Sequence, residues 1–136
     1  MKGIVITSHG PMAQGILETS KLFFGDQPQL TARCLYADDN PDDFVDTLKE
    51  AVAEVDTGDG VYVFCDMLFG SPCNCMSRIL AEDMESDKIQ VITGVNLAMI
   101  LQVLSTREAG DPEMEELLQA GTDGIVDLKA LLKANM

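Results

Sequence analysis

A chain of 136 residues, 46% of them apolar, is long enough for one domain with a buried core, and its composition is globular rather than disordered. With 23 acidic against 9 basic residues and a net charge of −14, it lacks the basic surface that nucleic acid or an anionic membrane attracts. Its apolar runs fall short of the roughly 20 residues of a bilayer span, and Met1–Lys2 leads directly into a strand pattern with no leader ahead of it, so a single cytoplasmic domain over 1–136 is expected.

Gly3–Ile4–Val5–Ile6–Thr7 reads as a short buried strand, interrupted by Ser8–His9–Gly10–Pro11. From Met12 to Phe24 apolar residues recur at helical spacing, with Pro11 suited to the first helical position and Gly25 to the stop. Residues 31–37 are a second strand, and Asn40–Pro41 starts a helix running to about residue 56. After the turn Gly58–Asp59–Gly60, the β-branched and aromatic run Val61–Tyr62–Val63–Phe64–Cys65 is a central strand. Residues 66–72 are a loop, in which Ser71 can cap and Pro72 open a helix ending near residue 85. Residues 88–93 give a fourth strand, Gly94–Val95–Asn96 a loop, and 97–107 an apolar helix. Asp111–Pro112–Glu113 starts an acidic helix, residues 124–128 read as a short strand, and the remainder as a terminal helix.

Strands alternating with helices give an open α/β fold: a mainly parallel sheet with right-handed crossovers and helices on both faces. The common small arrangement orders the strands 2-1-3-4, with a crevice where the first and third strands end side by side. Those ends carry His9 and Asp66. Of the four cysteines, Cys34 and Cys65 fall in strands expected to be buried, and Cys73 and Cys75 are two apart on a helix, pointing to different sides. Neither spacing suits a metal, and a cytosolic setting disfavours disulfides.

Three loops are expected to converge on the crevice: residues 7–11, 66–74 and 94–96. Histidine is the side chain whose ordinary pKa, about 6.5, lies near neutrality. An aspartate accepting a hydrogen bond from one ring nitrogen fixes the tautomer and leaves the other nitrogen as a nucleophile. Helix N-termini suit a phosphoryl group, Ser8 and Ser71 offer hydroxyls, and Gly10 and Gly70 allow close backbone approach. No Lys or Arg lies in these loops, and there is no Gly-rich nucleotide motif. That favours a phosphoryl group in transit between proteins over a bound nucleotide, so no cofactor and no metal are expected. Met67, Leu68 and Phe69, three apolar residues in a loop, suit a docking surface, with the side-chain amides of Asn74 and Asn96 beside it. Each position also has a plain structural role open to it, as loop residue, local cap or core cover; what favours chemistry is that His9, Asp66 and the helix starts fall on one sheet edge.

These residues resemble the IIA component of the mannose/fructose/sorbose family of the bacterial phosphoenolpyruvate-dependent sugar phosphotransferase system. The matching pieces are residues 3–10 with Ala13 and Gly15, Asp66 with Gly70–Ser71–Pro72 and Asn74, and Thr93–Gly94–Val95–Asn96–Leu97 with Met99. The resemblance spans the whole chain. It implies a phosphotransferase whose His9 takes a phosphoryl group from phosphohistidine on the carrier HPr and passes it to a IIB component, and through it to sugar entering by the membrane IIC and IID components. It implies that Asp66 hydrogen-bonds the histidine. It also implies a homodimer that exchanges a C-terminal edge strand, for which residues 124–128 are placed.

Two positions depart from the family pattern: Phe69 stands where the first of two glycines is usual, and Ala98 where a proline is common. The same residues also fit a regulatory or dihydroxyacetone-kinase-type phosphocarrier, or a non-catalytic flavodoxin-like binding module. A histidine phosphatase is disfavoured, because Arg33, Arg78 and Arg107 all lie outside the three loops.

Overall fold

A computed structural model describes residues 1–136. Four strands, β1 (Gly3–His9), β2 (Leu30–Leu35), β3 (Val61–Cys65) and β4 (Ile89–Ile92), form one sheet in the order β2-β1-β3-β4, every neighbouring pair parallel. Six helices intervene or follow: α1 (Met12–Phe24), α2 (Pro41–Val55), α3 (Ser71–Ala81), α4 (Leu97–Thr106), α5 (Met114–Asp123) and α6 (Leu128–Ala134). The expected α/β class and strand order both hold.

The alternation of side chains along a strand divides the core in two. Val5, Val61, Val63 and Cys65 face α2 and α3, meeting Leu48, Val52, Met76 and Ile79. Ile4, Ile6, Tyr62 and Phe64 face the other way, meeting Met99, Ile100, Val103 and Leu117 of α4 and α5 and Ala13 of α1. Strands covered on both faces need apolar residues at every position, which is why β1 and β3 read as continuous runs rather than alternating ones.

The local signals behave as their chemistry requires. Asn40 Oδ1 accepts from the Asp42 N–H (2.8 Å) ahead of Pro41, and Gly25 ends α1 at φ 68°. Ser71 does not cap α3; Gly70 is the N-cap and Ser71 the first helical residue. β2 stops at Leu35 because Tyr36–Asp39 folds into a turn, with the Tyr36 N–H donating to Asp39 Oδ2 (2.7 Å) and the Asp39 N–H to the Tyr36 carbonyl (3.0 Å). Cys34 is half-buried, not buried as expected, while Cys73 and Cys75 both reach the same core because α3 packs against sheet and α2 together.

Residues 124–128 do not form the expected strand within one chain: no segment pairs with them, Leu128 already belongs to α6, and Asp127 caps that helix by accepting from the Ala130 N–H (3.2 Å). A strand exists only through ladder partners, and here Ile125 and Val126 stand 73% and 54% exposed. The outer edge of β4 is unpaired. No helix is long and apolar enough to cross a membrane.

Candidate functional site

Thr7 of β1 lies opposite Cys65 of β3, so the residues that follow leave the sheet side by side. His9 Nδ1 and Asp66 Oδ2 are 2.8 Å apart, and the His9 main-chain N–H donates to the same oxygen at 2.9 Å. One carboxylate oxygen thus grips both backbone and ring of one residue. The bond places the ring proton on Nδ1 and leaves Nε2 with a free lone pair. The imidazole is 43% exposed and the carboxylate only 11%. Burial pushes the Asp66 carboxyl up, but the hydrogen bonds from His9 and the Met67 N–H outweigh it and hold the group below its ordinary range. Asp66 Oδ1 is buried without a partner, as is Thr7 Oγ1.

Two turns frame this pair. In the first, Gly10 adopts φ 59° and its N–H donates to the Leu35 carbonyl at 2.7 Å. Ser8 Oγ accepts from the Ala13 N–H (2.7 Å) and donates to the Gly10 carbonyl (3.1 Å). The Ser8 side chain is fully buried; it fastens the head of α1 and is not presented to a ligand. In the second turn the Gly70 N–H donates to the Met67 carbonyl at 3.1 Å, with Phe69 at φ 63°. A bulky residue rarely adopts that left-handed conformation, which costs roughly 1–2 kcal/mol. Asn74 Nδ2 donates to the Phe69 carbonyl (3.1 Å), securing the turn from below.

Not every expected group is available for a phosphoryl oxygen. The N–H groups of Gly10 and Gly70 are both engaged, at 2.7 and 3.1 Å. What remains is the hydroxyl of Ser71 and the N–H groups of Ser71 and Cys73, which have no intrahelical acceptor in the first turn of α3, Pro72 carrying none. Met67, Leu68 and Phe69 are exposed, Phe69 by 77%, and crown the turn beside His9. Asn96 is elsewhere: it caps α4 by accepting from the Met99 N–H (3.2 Å) and donates to the Gly121 carbonyl (2.7 Å), tying α4 to α5. With β3 between β1 and β4, the loop after β4 is not part of the cleft.

The loop after β2 takes its place. His9, Gly10 and Ser71 line a cleft of about 340 Å³ together with Tyr36, Asp39 and Pro41. Sequence reasoning missed Tyr36 and Asp39, although an order of 2-1-3-4 already puts the end of β2 next to the end of β1. No Lys or Arg lines this cleft. A larger recess of about 630 Å³, bordered by Glu115, Glu116, Gln119 and Asp123 of α5, offers no nucleophile and an acidic wall. The nearby Cys65 thiol is pushed up to about 12 by burial, with Cys73, Asp66 and Cys75 beside it, so it stays a thiol at neutral pH. Among the residues lining the cleft, His9 offers the one nitrogen nucleophile.

Comparison with known proteins finds a family model, relatives and solved structures similar to this chain. A family model described as "PTS system fructose IIA component", PTS being the phosphotransferase system, matches residues 3–120. The chain is 31% identical over 131 residues to the mannose-specific EIIAB component of Escherichia coli K12, covering 93% of this chain and 39% of that protein. It is 28% identical over 108 residues to the fructose-specific EIIA component of Bacillus subtilis, covering 79% and 72%. It therefore spans well under half the length of the EIIAB relative. Among solved structures it superposes on a PTS IIA protein associated with the fucose utilization operon of Streptococcus pneumoniae, with TM-score 0.86, 26% identity and 96% of each chain covered. It also superposes on EIIA from Streptococcus agalactiae, with TM-score 0.82, 27% identity and 96% and 99% covered.

Proposed function

We propose that this chain, which belongs to the fructose IIA family of phosphotransferase-system components, is a phosphocarrier: His9 accepts a phosphoryl group from phosphohistidine on HPr and passes it to a IIB component for sugar uptake. The observation that carries this reading is the 2.8 Å pairing of an exposed imidazole with a largely buried carboxylate at the carboxyl end of a parallel sheet.

In the transfer, Nε2 of neutral His9 attacks the phosphorus in line with the donor's P–N bond. The new Nε2–P bond forms as the old one breaks, and its electron pair returns to the donor ring. The proton on Nδ1 stays in place, so positive charge develops on the His9 ring, and Asp66 offsets it. Ser71 and the N–H groups at the head of α3 receive the equatorial oxygens, because positioning and electrostatics account for most of the catalysis of phosphoryl transfer. Passage to the recipient is the same step reversed against a different nucleophile.

Met67, Leu68 and Phe69 form the rim on which protein partners dock. A second copy of the chain completes the assembly. Exposed Ile125 and Val126, together with the apolar face of α6 (Leu128, Leu131, Leu132), find cover if residues 124–127 pair with the open edge of β4 in a partner.

The test is incubation with enzyme I, HPr and phosphoenolpyruvate, with mass spectrometry under alkaline conditions that preserve phosphoramidates. One phosphoryl group is expected on the wild-type chain, none on His9→Ala, and discharge when a IIB component is added. A wild-type chain that takes no phosphate, or a His9→Ala chain that does, ends the proposal.

A further inference from the structure

Gly70 stands at φ −73°, ψ 168°, extended backbone open to any residue. One position earlier, Phe69 stands at φ 63°, the third residue of a turn, where glycine is the natural choice. The sequence therefore places its glycine where the backbone makes no demand and a phenylalanine where the backbone does. Backbone conformation does not explain Gly70; its surroundings do. A Cβ at residue 70 would lie 2.6 Å from His9 Cε1 and 3.3 Å from His9 Nε2. The imidazole fills the space a side chain would take.

We infer that Gly70 is a positioning residue: its missing side chain is the seat that, together with Asp66, fixes the rotamer and so the tautomer of the His9 ring. The ring is held at two edges. Asp66 Oδ2 receives Nδ1 at 2.8 Å, and the same oxygen is anchored to β1 by the His9 main-chain N–H at 2.9 Å. The Cε1–Nε2 edge rests on Gly70, which is also the N-cap of α3, so the free lone pair sits at the head of that helix. Ordinary contact begins at 3.4 Å, and the added Cβ would be at 2.6 Å, so a methyl group must displace the ring edge by about 0.8 Å. A side chain yields more readily than backbone, so the fold survives and the ring moves. Because the ring is rigid, that movement also shifts Nδ1 against Asp66 and spoils the length and alignment of the 2.8 Å bond. A misplacement near 1 Å costs on the order of 10²-fold in rate.

This inference rests on the reading of His9 as phosphoryl acceptor, but it can be examined without phosphate. His9 is the only histidine in the chain, so long-range proton–nitrogen spectra report one imidazole without ambiguity. Wild-type protein is expected in the Nδ1–H tautomer, with a strong cross-relaxation contact between Gly70 Hα and the His9 ring Hε1. Gly70→Ala is expected to remain folded, to show mixed tautomers, and to accept phosphate from phospho-HPr about 10²-fold more slowly. Phe69→Gly, which alters the same turn without adding an atom beside the ring, keeps the wild-type tautomer.

An unchanged tautomer in folded Gly70→Ala, or a missing Gly70–His9 contact in the wild type, overturns the inference and leaves the phosphocarrier reading standing. Tautomer loss in Gly70→Ala in a chain that never accepts phosphate supports the positioning role and overturns the function. The wild-type contact decides the matter even if the alanine variant fails to fold.

Discussion

Replacing Asp66 with alanine separates catalysis from stability at one side chain. The carboxylate and the centre of the imidazole are about 4 Å apart, so a full charge on the ring interacts with Asp66 by about 4 kcal/mol at an effective dielectric constant near 20. A transition state with half that charge gains about 2 kcal/mol. At 1.4 kcal/mol per decade, losing 2–4 kcal/mol slows phosphoryl acceptance by about 30- to 700-fold. Stability should scarcely move. The bond to the main-chain N–H is exposed, so water replaces it, and the buried, unpaired Oδ1 is a cost of about 1–3 kcal/mol that the substitution removes. The assay is rapid-quench transfer from phospho-HPr alongside urea denaturation of both proteins. A rate within threefold of wild type, or a loss of stability large enough to explain the slower rate, would refute the electrostatic role of Asp66.

Acid should weaken the fold through the same group. A folded carboxyl held below its ordinary value, as Asp66 is, contributes stability fully above about pH 3.9 and loses it as pH falls through the folded value. Asp56, lowered mainly by the Gly58 N–H, adds to this with the same sign. Asp66→Asn should therefore show a flatter decline of urea midpoint below about pH 4 than wild type; parallel declines contradict the linkage. Phe69→Gly exchanges a strained backbone worth roughly 1–2 kcal/mol for a glycine that is more disordered when unfolded, by about 0.5–1 kcal/mol. Its thermal midpoint should hold or rise while the KM for phospho-HPr increases severalfold, and an unchanged KM removes Phe69 from the docking rim. Deleting residues 124–136 takes away the exposed apolar tail but none of the core. It should convert a dimer to a folded monomer in sedimentation analysis, and a full-length chain that is already monomeric contradicts the exchange.

The strands and the His9–Asp66 pair were legible because strand runs and their ends are local patterns, while the order 2-1-3-4 came from the common arrangement of small parallel sheets. Continuous apolar runs at residues 3–7 and 61–65 say that these strands are covered on both faces, and His9, which ends β1, and Asp66, which follows β3, stand at the carboxyl edge of the sheet. What could not be read was where polar groups spend their hydrogen bonds. Ser8 looked like a ligand and proves to be a fastener, bonded to the Ala13 N–H and buried. Asn96 looked like part of the crevice and instead bridges α4 and α5. Tyr36 and Asp39 were overlooked because they lie on a loop with no motif of its own; only the neighbouring of β2 and β1 brings them to His9. The strand pattern at residues 124–128 was real as a composition but had no partner within the chain, and pairing cannot be decided from one strand alone.

The absence of cations around His9 bears on how such a site would work. A carrier must give up what it accepts, so any group that stabilises the phosphorylated state deepens a well from which the phosphoryl group has to escape. Hydrogen bonds to a charged group are worth about 1.5–3 kcal/mol each, and two lysines at the cleft would slow onward transfer by orders of magnitude. Here the lining offers hydroxyl and backbone donors, with Asp39 and no Lys or Arg, on a chain already at −14. A dianionic phosphoryl group is poorly neutralised in that setting. On the proposed function, charge compensation in the transition state would come from the docked protein, making transfer fast only within a complex. The reasoning has a direct consequence: introducing a cation at the rim, as in Asp39→Lys, should leave phosphoryl acceptance at His9 intact or faster but slow its discharge to the IIB component. Measuring both half-reactions on one variant tests it, and equal effects on the two rates would show that cation placement at the cleft does not govern release.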